Sequence, residues 1–162
     1  MKIEKVELFR VPPRWLFLKM TTSSGLTGWG EPIVEGKAQS VEACVRELTE
    51  QLIGKDATQI EDAFQMLYRG GFYRGGPILT SAISGLEQAM WDIKGKALGV
   101  PVHELLGGKV RDQIEVYRWI GGDRPSDIKA NVLEAKAQGY SAIKMNATEE
   151  MHYIDSFKKI DA

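Results

Sequence analysis

The chain is poor in the groups that most often announce a function. It has one cysteine, Cys44, and two histidines in 162 residues. A single thiol can form neither an internal disulfide nor a zinc site alone. Cys44 falls on the apolar face of a helical segment and reads as a buried structural thiol. No Ser-His-Asp set and no carboxylate cluster at metal-ligand spacing stands out. Glu149-Glu-Met-His152 has the Glu-x-x-His spacing of a di-metal helix, but such a site needs two copies and two further carboxylates. His103 is expected to be structural. A basic excess is also missing: 21 Lys and Arg stand against 22 Asp and Glu, for a net charge of -1. Proteins that wrap polyphosphate usually carry such an excess, so nucleic acid is not an expected partner. No run of about 18 apolar residues exists. The first residues, MKIEKVELFR, alternate apolar and charged side chains instead of forming a signal-peptide core. The expectation is a cytoplasmic protein without a membrane partner.

What is present suffices for a packed core. Hydrophobic residues make up 43% of the chain and charged residues 27%, which excludes global disorder. Ile3, Val6 and Leu8 predict a strand of period near two, with a slip near Lys5. Pro12-Pro13 breaks it. WLFLKMTT predicts a second strand, and SSGLTGWGEP a turn followed by a third; together they read as an antiparallel meander. Val41, Cys44, Val45, Leu48 and Leu52 fall at helical spacing up to Gly54. Ile60, Phe64 and Leu67 mark a second helix, with Thr58 and Glu61 spaced as a capping box. A long helix is predicted from Pro77 to Leu98, with Ile78, Ala82, Leu86, Ala89, Ile93 and Ala97 as its stripe. Pro77 suits a first helical position, where its missing N–H would be unpaired anyway. Gly99 and Pro101 end that helix, and VHELLGG is a short turn.

Strands first and helices after describe an α+β arrangement. The pattern then changes near Arg111-Asp112. QIEVYRWIGG predicts a strand. RPSDIKANVLEAKAQG predicts a helix with Ile128, Val132, Leu133 and Ala137 inward. YSAIKMN predicts another strand, and EEMHYIDSFKKIDA starts a further helix. Strand–helix–strand–helix with short links implies parallel pairing. The predicted organisation is therefore a domain over 1–112 and the first two βα units of an α/β barrel over 113–162. Two such units cannot cover both faces of a parallel sheet, and a closed barrel needs about 250 residues, so the chain reads as cut rather than finished.

Several residues are candidates for chemistry. YRGGFYRGGP, residues 68–77, holds two Arg-Gly-Gly copies ahead of a helix N-terminus, where free N–H groups favour anions. The P-loop spacing is absent and no strand precedes it. It remains open between an ordinary helix–helix loop and a mobile loop over a substrate; true RGG tracts that bind RNA are long and disordered. Arg14 is either a presented cation or a solvated turn residue. Trp29 reads as core rather than a pocket wall. Lys144 and Asn146 end the second parallel strand and, two apart, share a side. In α/β barrels catalytic groups gather at such strand ends.

SAISGLEQAMWDIKGKALGVPVHELLGG, residues 81–108, resembles the enolase superfamily in its mandelate racemase-like branch. Ala82, Gly85, Ala89, Trp91-Asp-Ile93, Gly95-Lys96, Pro101 and Leu105-Leu-Gly-Gly108 carry the match, and GWGEP fits as well. PPRWLFLKM, YRGGFYRGGPILTSAI and WIGGDRPSD are similar to acid-sugar dehydratases of that branch. The resemblance implies an N-terminal α+β capping domain followed by a modified TIM barrel. It also implies one Mg²⁺ held by carboxylates on the third to fifth barrel strands, and histidines on later strands as base and acid. All of these would lie beyond Ala162, so the 162-residue chain alone is expected to be inactive. Many relatives end the second barrel strand in Lys-x-Lys; Lys144-Met-Asn146 lacks the second lysine, which favours a dehydratase with its base elsewhere. Arg14, Trp15, Tyr73 and Arg74 become candidates for contacts with an aldonic acid, and Asn146 either joins them or caps its strand. The complete protein would be a homo-oligomer. The alternatives are another acid-sugar dehydratase or racemase of the superfamily, or a non-catalytic capping-type binding domain.

Overall fold

In the computed structural model the described residues are 1–121 and 125–145. The chain divides into two compact units, Met1–Lys109 and Val110–Ala162. The predicted last helix, with Glu149 and His152, lies outside the described residues, as does Asn146.

The first unit opens with β1 (Ile3–Val11), β2 (Trp15–Thr22) and β3 (Thr27–Gly30), paired antiparallel in the order β1-β2-β3. On β2 the alternation is complete: Leu16, Leu18, Met20 and Thr22 are buried, while Trp15, Phe17, Lys19 and Thr21 face away. β1 must change phase, because Ile3 and Val6 are three apart and both belong to the core side. The ladder supplies that change. Ile3 pairs with Thr22 and Lys5 with Thr21, so one residue is extra on β1. A bulge of this kind returns the even-numbered residues to the inner face.

Four helices follow: α1 (Ala38–Leu52), α2 (Ile60–Arg69), α3 (Pro77–Leu98) and the short α4 (Val102–Leu105). α1 buries Val41, Val45, Leu48 and Leu52, and α2 buries Ile60, Ala63 and Leu67. α3 buries Ala82, Leu86, Ala89 and Ile93, and also Ile83 and Met90, which widen the stripe because this helix packs against both the sheet and its neighbour helices. Full burial of a Leu, Ile or Met contributes about 1.5–3 kcal/mol, so this cluster is the unit's main source of cohesion. Pro77 is the first residue of α3, and Gly99 closes it in the left-handed region at φ 70, as expected of a helix C-cap.

Four expectations for this unit need correction. Thr58 and Glu61 form no capping box. Thr58 donates both its N–H and its hydroxyl to Asp56 Oδ1 at 3.0 Å, and Gln59 takes the N-cap position. Cys44 is half-buried rather than core, since it sits at the edge of the α1 stripe. Ala97 is exposed; Gly95 is buried in its stead, close enough to the Val100 carbonyl that an added Cβ would lie 2.8 Å from it. Trp29 is 48% exposed. Gly28 and Gly30 face α3, so alternation turns Trp29 to the outer face, where it meets Phe9 at 5.9 Å.

The second unit contains β4 (Tyr117–Trp119), α5 (Pro125–Ala137) and β5 (Ala142–Lys144), with β4 and β5 parallel. The strands are shorter than predicted, three paired residues each. On α5 the inward face runs through Ile128, Val132 and Ala135, of which Ala135 is fully buried. Leu133 and Ala137 are exposed, contrary to expectation. At 100° per residue they fall on the far side from Ile128 and Ala135.

Candidate functional site

The first unit holds four of the six expected site residues. Arg14 ends the β1–β2 turn and Trp15 opens β2, while Tyr73 and Arg74 belong to the link between α2 and α3. Packing of β3 on α3 brings both segments to one end of the unit. Gly28 and Gly30 lie directly against the backbone carbonyls of Ala89 and Gly85. Two strand residues rise about 6.7 Å and four helix residues about 6 Å, so the two rows stay in step. The order is reversed, so β3 and α3 run antiparallel. Beyond β3, Pro32 abuts Gly85, and the Ile33 carbonyl accepts a hydrogen bond from Ser81 Oγ at 2.8 Å. The start of α3 at Pro77 lies one turn further along. β3 leaves β2 opposite Leu18 and heads toward Trp15, so the β1–β2 turn lies at this end too.

Arg14 donates from Nη1 to Glu35 Oε1 at 2.5 Å, and its guanidinium carbon stands 5.0 Å from the Trp15 ring centre. Trp15 also stacks on Phe17 at 6.4 Å. A concavity of about 300 Å³ opens between Arg10, Pro12, Arg14 and Trp15 on the hairpin and Ala38 and Gln39 at the start of α1. Arg10 is tied to Glu42 at 2.9 Å. In the α2–α3 link, Phe72 and Tyr73 are 91% and 89% exposed and meet edge to face at 5.3 Å. Arg74 Nε donates to the Gly71 carbonyl at 3.3 Å. Gly75 and Gly76 both have positive φ, 78 and 81, which other residues adopt only with strain. The link thus reaches Pro77 through two backbone conformations that only glycine adopts readily, and its two aromatic rings stand in solvent.

In the second unit Lys144 Nζ lies 5.8 Å from the Tyr117 ring centre across the parallel pair. Among the described residues, no group of three or more His, Cys, Asp or Glu is placed to hold a metal ion. Nor is any helix there long and apolar enough to cross a membrane. His103 lies at the surface, 3.4 Å from Glu104.

The residue that sequence reasoning missed is Glu35. Its only signal was a carboxylate in the loop after GWGEP, which carries no geometry until that loop is pinned to α3. Also missed was the work of the EQAMWDIKGK segment. Gln88 Oε1 accepts the Glu31 N–H at 2.9 Å, Asp92 Oδ2 accepts the Trp29 N–H at 3.0 Å, and Lys96 Nζ donates to the Thr27 carbonyl at 2.8 Å. Three side chains at helical spacing of four thus bind backbone groups along the open edge of β3 and of the residue just after it.

A three-stranded meander closed along its edge by the polar side chains of a long helix defines an enolase-type N-terminal capping domain. The chain belongs to the mandelate racemase / muconate lactonizing enzyme family of the enolase superfamily, whose N-terminal domain matches residues 12–107. It is 57% identical over all 162 residues to the D-galactonate dehydratases of Pectobacterium atrosepticum and Ralstonia nicotianae, of each of which it covers 42%. The chain thus spans about two fifths of the length of these curated relatives. Among solved structures, it is similar to an enolase from Pantoea ananatis with bound D-gluconate and magnesium. The TM-score is 0.80 and the identity 33%, over 90% of this chain and 36% of that one.

Proposed function

We propose that this chain is the N-terminal part of an acid-sugar dehydratase acting on D-galactonate. Residues 1–112 form the capping domain and 113–162 the start of the α/β barrel. The complete protein removes the proton next to the carboxylate and expels the β-hydroxyl as water, giving a 2-keto-3-deoxy sugar acid. The observation that carries this reading is 57% identity over the whole chain to proteins named D-galactonate dehydratase. The departure at Lys144-Met-Asn146 supports a dehydratase over a racemase that needs a second lysine there. In this reading Arg14, Trp15, Tyr73 and Arg74 are the capping domain's contacts for the sugar acid, and Lys144 and Asn146 are the candidates at the end of the second barrel strand. Aromatic and guanidinium groups suit a polyol acid: a ring covers C–H faces, and N–H forks bind oxygens. The described residues do not fit a magnesium site, so an ion of the kind bound in the Pantoea ananatis enolase would take its ligands from elsewhere in the complete, cytoplasmic, homo-oligomeric protein. When bound it would stabilise negative charge on the substrate carboxylate.

The test is dehydration of a panel of aldonic acids with Mg²⁺ by the complete protein and by the 162-residue chain. Turnover of D-galactonate by the complete protein alone is expected. No turnover of any aldonic acid would overturn the reading.

A further inference from the structure

We propose that Glu35 is a positioning residue of the sugar-acid site. It holds the Arg14 guanidinium beside Trp15, so the β1–β2 turn offers a donor–acceptor pair to a substrate hydroxyl rather than a free cation to the substrate carboxylate. This rests on the dehydratase reading and adds to it the specificity of one turn.

The chemistry follows from the contact. Glu35 Oε1 occupies Arg14 Nη1 at 2.5 Å. With that carboxylate in place the pair as a whole is neutral, so the turn has little net attraction for a substrate carboxylate. What remains open is a set of N–H donors on Arg14 and the second oxygen of Glu35 as acceptor. A hydroxyl both donates and accepts, so it can use the two together. The Trp15 ring, 5.0 Å from the guanidinium carbon, fixes one side of the fork.

The position of Glu35 is itself fixed. Two residues before it, the Ile33 carbonyl is held by Ser81 Oγ, and Pro32 is wedged against Gly85. The Lys37 N–H closes a turn on the Val34 carbonyl at 2.9 Å. Glu35 therefore refers Arg14 to the frame of α3, the helix that follows the Tyr73-Arg74 link. Both groups are largely exposed, 52% for Arg14 and 70% for Glu35. Such a pair adds little to stability; its effect is one of direction.

The experiment uses the complete protein, with D-galactonate as substrate and glycerate as a short competitive probe. Glycerate keeps the carboxylate and its two neighbouring hydroxyls but lacks the distal ones. Glu35→Gln is expected to raise KM for D-galactonate roughly three- to tenfold, with kcat within about twofold and little change in thermal midpoint. Inhibition by glycerate should be unchanged. Glu35→Asp should recover part of the loss. The exchange of Arg14→Glu with Glu35→Arg restores an ion pair but takes the guanidinium from Trp15, so it should keep the high KM. An unchanged KM in Glu35→Gln would overturn the proposal, as would glycerate inhibition weakened as much as galactonate binding, or a low KM in the exchange variant. Failure of the unaltered protein to act on any aldonic acid would overturn the dehydratase reading beneath it, which is a different result.

Discussion

The Asp92 carboxylate accepts the backbone N–H of Trp29 at 3.0 Å, joining α3 to the outer edge of β3 across 63 positions of sequence. Four residues on, Lys96 Nζ binds the same carboxylate at 2.7 Å and the Thr27 carbonyl at 2.8 Å. An exposed strand edge is a template for pairing with another chain. Here helix side chains occupy the edge in place of a fourth strand.

Asp92→Ala should therefore cost more than an ordinary surface substitution, about 1–2 kcal/mol, since it leaves the Trp29 N–H without its partner and the Lys96 ammonium with the Thr27 carbonyl alone. Lys96→Met keeps the aliphatic stem and should cost about 1 kcal/mol. Urea unfolding of each variant measures both. A double variant that loses no more than Asp92→Ala alone would show that the two act as one unit.

Close approach makes the glycines of this interface harder to replace than any polar group. An added Cβ on Gly28 would meet the Ala89 carbonyl and lie 2.8 Å from Ile93 Cγ1; one on Gly85 would lie 2.5 Å from Pro32 Cβ. Both strand and helix are held in their own hydrogen-bond ladders and cannot yield cheaply. Gly28→Ala and Gly85→Ala should each destabilise by roughly 3 kcal/mol or more. Gly25→Ala has open space around it, and its cost is limited to the strain of its positive φ, about 1 kcal/mol. Comparing soluble yield and unfolding midpoint of the three variants separates crowding from backbone strain.

The fold was legible wherever one face of an element is buried. The slip in β1 could be read because Ile3 and Val6 cannot share a face without one. α3 could be read to the residue, because Pro77 and Gly99 mark its two ends in chemistry that tolerates few alternatives. Trp29 was misread because hydrophobicity points a tryptophan inward, whereas its flanking glycines are what the helix needs. Thr58 was misread because Asp56, two residues earlier, competes for its hydroxyl. The role of Glu35 was not legible at all, since it depends on where a loop is pinned by residues fifty positions away.

Asp56 provides a pH signature. Its carboxylate accepts two hydrogen bonds from Thr58 and lies 3.3 Å from the Met1 amino group. The backbone bond from Thr58, then its hydroxyl, hold the Asp56 pKa below the ordinary range. The fold favours the ionised form, so its contribution is fully present above the unfolded value of about 3.9 and is lost as pH falls through the depressed native value. Asp56→Asn should therefore lower the urea midpoint at pH 7. The difference from the unaltered chain should shrink as the pH is taken down the acid limb. A difference that stays constant with pH would show that geometry, not charge, is what Asp56 provides.

Phe72 and Tyr73 separate stability from function most cleanly. Both rings are about nine-tenths exposed and touch chiefly one another. Their removal takes nothing from the core, so Phe72→Ala and Tyr73→Ala should each leave unfolding within about 0.5 kcal/mol of the unaltered chain. If Tyr73 faces the sugar acid, Tyr73→Ala in the complete protein should raise KM for D-galactonate about tenfold, the loss expected for one hydrogen bond to substrate together with its apolar cover. Tyr73→Phe keeps the ring and removes only the hydroxyl, and should account for part of that loss. Steady-state kinetics beside thermal unfolding resolves the two. An equal fall in stability and in kcat/KM would mark the link between α2 and α3 as scaffold, whereas a rise in KM at constant stability marks it as part of the binding surface.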